Sequence, residues 1–205
     1  MTSLLAISGS PSARSRTAAL TAHMVQRLAK AGFPAGHLRV RDLPATELLA
    51  GRTDGPALCQ ALSAMAAADG VIVATPVYKS AYSGLLKTFL DVLPQSGLAG
   101  KTVLPVMTGG TLAHALALDY TLRPVLAALG ARHIVRGVFV LDRAIGPDDG
   151  VLPRVSADVE PRLEQAIEDF ITALPPRCLT VPETAAVPEP GTLTVGVPCA
   201  ETERR

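Results

Sequence analysis

Short apolar runs alternate along this chain with longer stretches in which apolar residues recur every three or four positions. The runs predict buried strands and the longer stretches predict helices, so the pattern is a repeated β-α unit. Leu4–Ser8 reads as a buried strand, ended by the turn residues Gly9, Ser10 and Pro11. A helix is expected over 15–31, where Leu20, Met24, Val25 and Leu28 fall at helical spacing and Gly32 supplies a stop. A more polar strand at 37–41 belongs near a sheet edge, and a loop with Pro44, Gly51 and Pro56 leads to a helix over 57–68. The third strand spans 71–74, flanked by Asp69-Gly70 and broken by Thr75-Pro76. The second half predicts a helix over 84–93, a strand over 102–107, a helix over 111–129, a strand over 134–140 and a last helix over 156–174.

Five strands joined by helices make a parallel sheet covered on both faces, an α/β fold. Right-handed crossovers leave few topologies. The edge character of the second strand selects the flavodoxin-like order 2-1-3-4-5, with a Rossmann order as the rival. From Pro175 the composition changes: Pro175-Pro176, Pro182, Pro188, Pro190 and Pro198 stand among few large apolar residues. The expected organisation is one domain over 1–174 followed by an irregular or disordered tail over 175–205.

Composition narrows the function. With 48% hydrophobic and 18% charged residues in 205, a sizeable core can form. A net charge of +1 gives no electrostatic case for nucleic acid or an anionic membrane. Aromatics are 3% with no Trp, so a stacking platform for single strands is unsupported. Cys59, Cys178 and Cys199 form no C-x-x-C pair and no metal-ligand spacing, which reads as reduced thiols in the cytoplasm. The apolar start is too short for a signal peptide and no basic region precedes it; nor does any run suit a membrane helix.

Segment 8–17 reads Ser-Gly-Ser-Pro-Ser-Ala-Arg-Ser-Arg-Thr, between a central strand and a helix. Unpaired backbone N–H groups and the positive end of the helix dipole concentrate there. The hydroxyls of Ser10, Ser12, Ser15 and Thr17 add donors, and Arg14 or Arg16 adds charge. Neither a P-loop nor a G-x-G-x-x-G spacing is present, so a phosphate monoester is the ligand such a loop suits. The alternative is a Ser-rich helix cap with ordinary surface arginines.

Two further loops follow strands at the same sheet edge and flank the switch-point crevice. One carries Thr75, Pro76, Val77, Tyr78, Lys79, Ser80, Ala81, Tyr82, Ser83 and Gly84; the other carries Thr108, Gly109, Gly110 and Thr111. The glycines permit close backbone approach, and Thr111 opens a helix whose N–H groups suit the electron-rich edge of a flavin. Tyr78 and Tyr82 can equally pack against the domain or a partner chain, and Lys79 can be merely solvated.

Taken together these motifs resemble the NAD(P)H-dependent FMN reductases, especially those that feed two-component alkanesulfonate monooxygenases. The resemblance rests on Gly9-Ser10-Pro11 with Ser15-Arg16-Thr17, and on Ala74-Thr75-Pro76-Val77-Tyr78-Lys79 with Tyr82-Ser83-Gly84 and Leu86-Lys87-Thr88. It continues through Thr108-Gly109-Gly110-Thr111-Leu112-Ala113-His114, Asp119-Tyr120 and Pro124-Val125-Leu126, covering about residues 4–170. It implies a flavodoxin-like fold, reduction of FMN by NADPH, and release of FMNH2 to a separate monooxygenase that liberates sulfite from sulfonates. It places Ser10, Ser15, Arg16 and Thr17 on the phosphate, with residues 76–80 and 109–111 along the ribityl chain and ring. The chain departs from relatives at Ser12, where a basic residue can stand, and at Lys79, where the broader family often has Asn.

Pro124 interrupts the expected helix 111–129 and denies Tyr120 its carbonyl's partner, so a kink or π-bulge is predicted around Tyr120. In the sulfonate-linked reductases that the chain resembles, the matching tyrosine lies in a π-helix at a tetramer interface and assists flavin exchange. A homotetramer, or a dimer, is implied by that resemblance, with Tyr120 and Tyr82 at the interface. His23, His37, His114 and His133 show no metal-ligand spacing, and His114 reads as a packed or capping residue. No nucleophile elbow appears, and Lys87 and Asp91 read as a surface ion pair. Hydride transfer between a nicotinamide and a flavin needs no obligatory acid or base, so no catalytic residue and no metal is expected. The competing readings are a quinone, azo-dye or chromate reductase with tightly bound FMN and a flavodoxin-type electron carrier.

Overall fold

A computed structural model describes residues 2–146 and 154–175. The elements in chain order are β1 Leu4–Ser8, α1 Arg16–Lys30, β2 Ala35–Arg39, α2 Ala45–Leu49, α3 Pro56–Ala67 and β3 Gly70–Tyr78. There follow β4 Ala81–Tyr82, α4 Gly84–Asp91, β5 Thr102–Gly109, a 3-10 turn Leu112–His114 and a π-helix Leu118–Leu122. The chain continues with α5 Arg123–Ala128, β6 His133–Ile134, β7 Val138–Leu141 and α6 Glu160–Thr172. The expected tail lies outside the described residues from 176 onward.

The sheet runs β2-β1-β3-β5-β6, with β7 also on β5 and β4 turned back antiparallel on β3. All other pairings are parallel. Since β6 and β7 are two pieces of the fifth main strand, the order is the expected flavodoxin-like one, with seven strands instead of five. Alternation along the strands sorts two cores. Leu5, Ile7, Val71, Val73, Val103 and Met107 face α3, α4, the π-helix and α5. Leu4, Ala6, Ile72, Ala74, Leu104 and Val106 face α1 and α6.

Several boundaries differ from expectation, each for a local reason. The second strand is Ala35–Arg39, two residues earlier than 37–41, and a short helix, α2, occupies the expected loop. The third strand is not broken at Thr75-Pro76 but runs to Tyr78. The Gly9 N–H donates to the Ala74 carbonyl at 2.9 Å, so Ala74 faces the β1 edge, and Pro76 two residues on faces the same edge. Ser8 is the last β1 residue in register with β3, so the missing N–H of Pro76 falls where no ladder remains. The expected helix 111–129 is instead a 3-10 turn, a π-helix and α5, and the last helix begins at Glu160.

The fifth strand splits because β5 carries Pro105. Val135 N–H donates to the Val103 carbonyl, so odd-numbered β5 residues face the fifth strand, and Pro105 has no N–H to give it. Pairing stops at Val103↔Ile134 and resumes at Val106↔Val138.

Only two residues, Lys79 and Ser80, join β3 to β4, and their φ values are 51° and 62°. Positive φ at both central positions is the type I′ hairpin turn, which favours Asn-Gly. We expect Ser80→Gly to stabilise the fold by about 1 kcal/mol, raising the melting temperature by about 3 °C in a thermal melt. An unchanged or lower value would show that the turn is not strained.

Candidate active site

The carboxyl ends of β1, β3 and β5 place three loops side by side. After β1 the chain turns through 9–14, and Ser15 caps α1, its buried Oγ accepting the Ala18 N–H at 3.0 Å. Ser10 is buried as well, and its Oγ accepts the Ser12 N–H at 3.4 Å, tightening the turn. Arg14 and Arg16 are exposed beside it. The first-turn N–H groups of α1 have no carbonyl one turn back, and the helix dipole adds positive potential to them. No acidic residue stands in that first turn to compete for them. The arrangement suits a phosphate.

Thr17 sits differently from the other hydroxyls. Its buried Oγ1 lies 2.7 Å from Thr108 Oγ1, with Thr21 Oγ1 donating to the Thr17 carbonyl at 2.8 Å. The Thr17 hydroxyl therefore ties the amino end of α1 to the end of β5.

The second tie joins the first loop to the β3–β4 hairpin. Ser83, buried, caps α4 by accepting the Leu86 N–H at 3.0 Å, and its hydroxyl also donates to the Gly9 carbonyl. Ser83 N–H in turn donates to Thr75 Oγ1 at 2.9 Å. Gly9 itself is pressed against α4: a Cβ there would stand 2.5 Å from Leu86 Cβ and 3.2 Å from Leu86 Cα. Thr75 and Ser83 are the scaffold of the site, and sequence reading did not single them out as site residues. The signal for Ser83 was present, a serine immediately before an apolar helix.

Pro76 and Val77 are buried strand residues, and the Val77 side chain belongs to the core. Only their backbone can border a ligand. Tyr78 is 47% exposed, Lys79 and Ser80 are exposed at the turn, and Tyr82 is half-buried against the core. At the end of β5 Gly109 is buried, and the following Gly110 and Thr111 are exposed. A Cβ on Gly109 would meet the Phe139 ring at 3.0 Å, while one on Gly110 would meet nothing within 4 Å. Thr111 Oγ1 accepts the Ala113 N–H at 3.2 Å, and His114 is half-buried with Nδ1 unpartnered near Gly109.

Beyond the loops stands the π-helix. Tyr120 is 76% exposed, and Leu116 and Leu112, four and eight residues before it, are exposed as well. The predicted defect at Tyr120 is present, and β4 packs against it. Lys87 pairs with Asp91 at 2.6 and 2.8 Å, as expected; that hydrogen bond holds the amine above the usual lysine range. Both partners are largely exposed, so the pair adds little stability. Among the described residues no helix is long and apolar enough to cross a membrane, and no group of His, Cys, Asp and Glu could hold a metal. Cys59 is exposed and free; Cys178 and Cys199 lie outside the described residues.

This arrangement has counterparts. The family profile described as NADPH-dependent FMN reductase matches residues 2–146. An FMN reductase (NADPH) of Pseudomonas putida KT2440 is 44% identical over 172 residues, 83% of this chain and 87% of that protein. The protein of the same name from Escherichia coli K12 is 43% identical over 180 residues, 88% of this chain and 94% of its own. The apo crystal structure of an NADH:FMN oxidoreductase, EMOB, superposes with a TM-score of 0.79 at 44% identity, covering 87% of this chain and 92% of that one.

Proposed function

Given that this chain belongs to the NADPH-dependent FMN reductase family, we propose that it supplies FMNH2 to a separate flavin-dependent monooxygenase acting on sulfonates. The underlying activity is NAD(P)H-dependent reduction of FMN, with FMN and a nicotinamide nucleotide as its reactants. The single observation that carries the finer reading is the π-helix Leu118–Leu122 with Tyr120 exposed at its surface. It matches the exchange device of the sulfonate-linked reductases that the sequence resembles.

In this reading Ser10, Ser15 and the first-turn N–H groups of Arg16 and Thr17 hold the FMN phosphate. Arg16 adds charge from the rim. The backbone of Pro76, Val77 and Tyr78, the turn Lys79-Ser80, and the Thr108-Gly109-Gly110-Thr111 end of β5 border the ribityl chain and ring. When bound, the flavin supplies the hydride-accepting chemistry, and the protein has to orient two planar reactants and exclude water. Backbone N–H groups near Gly110 and Thr111 stabilise the negative charge that grows on reduction. Tyr120, with Leu112 and Leu116, forms a face that a second copy covers in a homotetramer or dimer. Tyr82 stands beside that face.

The first test is direct. Purified protein mixed with NADPH and excess FMN should lose nicotinamide absorbance with sequential kinetics. Ping-pong kinetics with retained FMN and transfer to quinone would favour a quinone reductase instead. Tyr120→Ala should make the protein hold FMN through purification and appear yellow; a colourless variant with unchanged turnover would remove the exchange role.

A further inference from the structure

One side chain hydrogen-bonds the end of the π-helix to the fifth strand. Arg123 follows that helix directly, and its guanidinium donates to the Ile134 carbonyl at 3.1 Å and the Val135 carbonyl at 3.2 Å. Its Nε donates to Asp119 Oδ1 at 3.0 Å. Both carbonyls lie at the end of β6, where its pairing with β5 stops, and Val135 is the residue that faces Pro105. At the same break Gly137 has no side chain, and a Cβ there would stand 2.6 Å from Leu118 Cδ2 and 2.9 Å from the Pro105 carbonyl oxygen. The strand break and the π-helix are therefore complementary. Pro105 opens the ladder, Gly137 admits Leu118, and Arg123 donates to the carbonyls at the end of β6 from the helix side. Thr121 Oγ1 donates to the Ala117 carbonyl at 2.6 Å, occupying an acceptor within the widened turn.

We propose that Arg123 is a positioning residue for flavin exchange. It fixes the rotational setting of the π-helix on the broken strand, and through the helix it sets Tyr120 and the β4 hairpin that carries Tyr78, Lys79 and Ser80. Asp119 and Arg123 bracket Tyr120, so the ion pair spans the widened turn itself. A lysine could reach one carbonyl but not both with Asp119, because only the planar fork presents donors in three directions at once. This inference rests on the exchange role proposed for Tyr120.

The test measures FMN dissociation by recovery of flavin fluorescence in the full-length protein, for Arg123→Gln, Arg123→Lys, Tyr120→Ala and the double variant Arg123→Gln/Tyr120→Ala. Lys101→Met serves as the stability control. Its amine donates to the Ala66 and Ala68 carbonyls at 2.8 and 2.6 Å, tying the start of β5 to the end of α3 without touching the π-helix. Arg123→Gln should slow FMN release about tenfold, the scale of one charged hydrogen bond, in the same direction as Tyr120→Ala. Arg123→Lys should fall between it and the parent protein. The double variant should show no further change, because both substitutions act on one element. Lys101→Met should lower the melting temperature and leave release unaltered.

A purely structural role predicts otherwise: Arg123→Gln would lose thermal stability with release within twofold of the parent, or its effect would multiply with that of Tyr120→Ala. Either result overturns the assignment. Should Arg123→Gln fail to fold, Arg123→Lys decides by the same criterion. If Tyr120→Ala itself leaves FMN release unchanged, the exchange reading fails and this inference with it. If only the Arg123 variants are silent, the exchange reading stands alone.

Discussion

Gly9→Ala should raise the FMN dissociation constant by about a hundredfold, equivalent to about 2.7 kcal/mol, and lower the melting temperature. The added methyl would stand 2.5 Å from Leu86 Cβ and 3.2 Å from Leu86 Cα, in the first turn of α4. A backbone-anchored neighbour cannot swing aside as a flexible side-chain end would, so the loop or the helix must shift. Overpacking of this kind costs about 1–3 kcal/mol. The movement falls on a residue that is fixed twice over. Gly9 N–H donates to the Ala74 carbonyl, and its own carbonyl accepts the Ser83 hydroxyl. Ser10 and the turn before α1 follow Gly9, so their displacement takes the phosphate donors out of register. Fluorescence titration with FMN and a thermal melt check both parts. Parent-like affinity would show that this loop does not bind the flavin.

Ser15→Ala should separate binding from turnover. The substitution removes the N-cap of α1, worth about 1 kcal/mol of stability, together with one hydroxyl at the anion site. Phosphate contacts lie far from the reacting ring and act equally on bound substrate and transition state. KM for FMN should therefore rise about tenfold while kcat stays close to the parent value. Steady-state rates with FMN varied at saturating NADPH give both numbers. A fall in kcat with KM unchanged would contradict the assigned role.

The β-α alternation carried most of the architecture, because buried strands and amphipathic helices write their periods directly into the chain. What it could not carry was register. Pro76 read as a breaker, although its missing N–H faces the edge beyond Ser8, and only the pairing of β3 with β1 reveals that. Pro105 gave no warning of a split fifth strand, since its effect falls on a neighbour 30 residues away. The π-helix was the opposite case. Pro124 lies four residues after Tyr120, so the defect is local and legible.

The same division runs through the site. The hydroxyl-rich turn before α1 could be recognised from composition and position alone. The engagement of Thr17 with Thr108 joins positions 91 apart, and no spacing rule reports it. Thr75 and Ser83 likewise reveal their scaffolding role only once β3, α4 and the first loop are assembled. Arg123 carries no mark in the sequence, because the Ile134 and Val135 carbonyls that it meets come beside it only in the assembled fold.

The central claim is that hydroxyls and N–H dipoles at the start of α1 recognise the phosphate end of the flavin. Calorimetric titration of the parent protein with FMN and with riboflavin, which differ only in that phosphate, addresses it directly. FMN should bind on the order of a hundredfold more tightly, as several charge-assisted hydrogen bonds require. Equal affinity for the two flavins would contradict it.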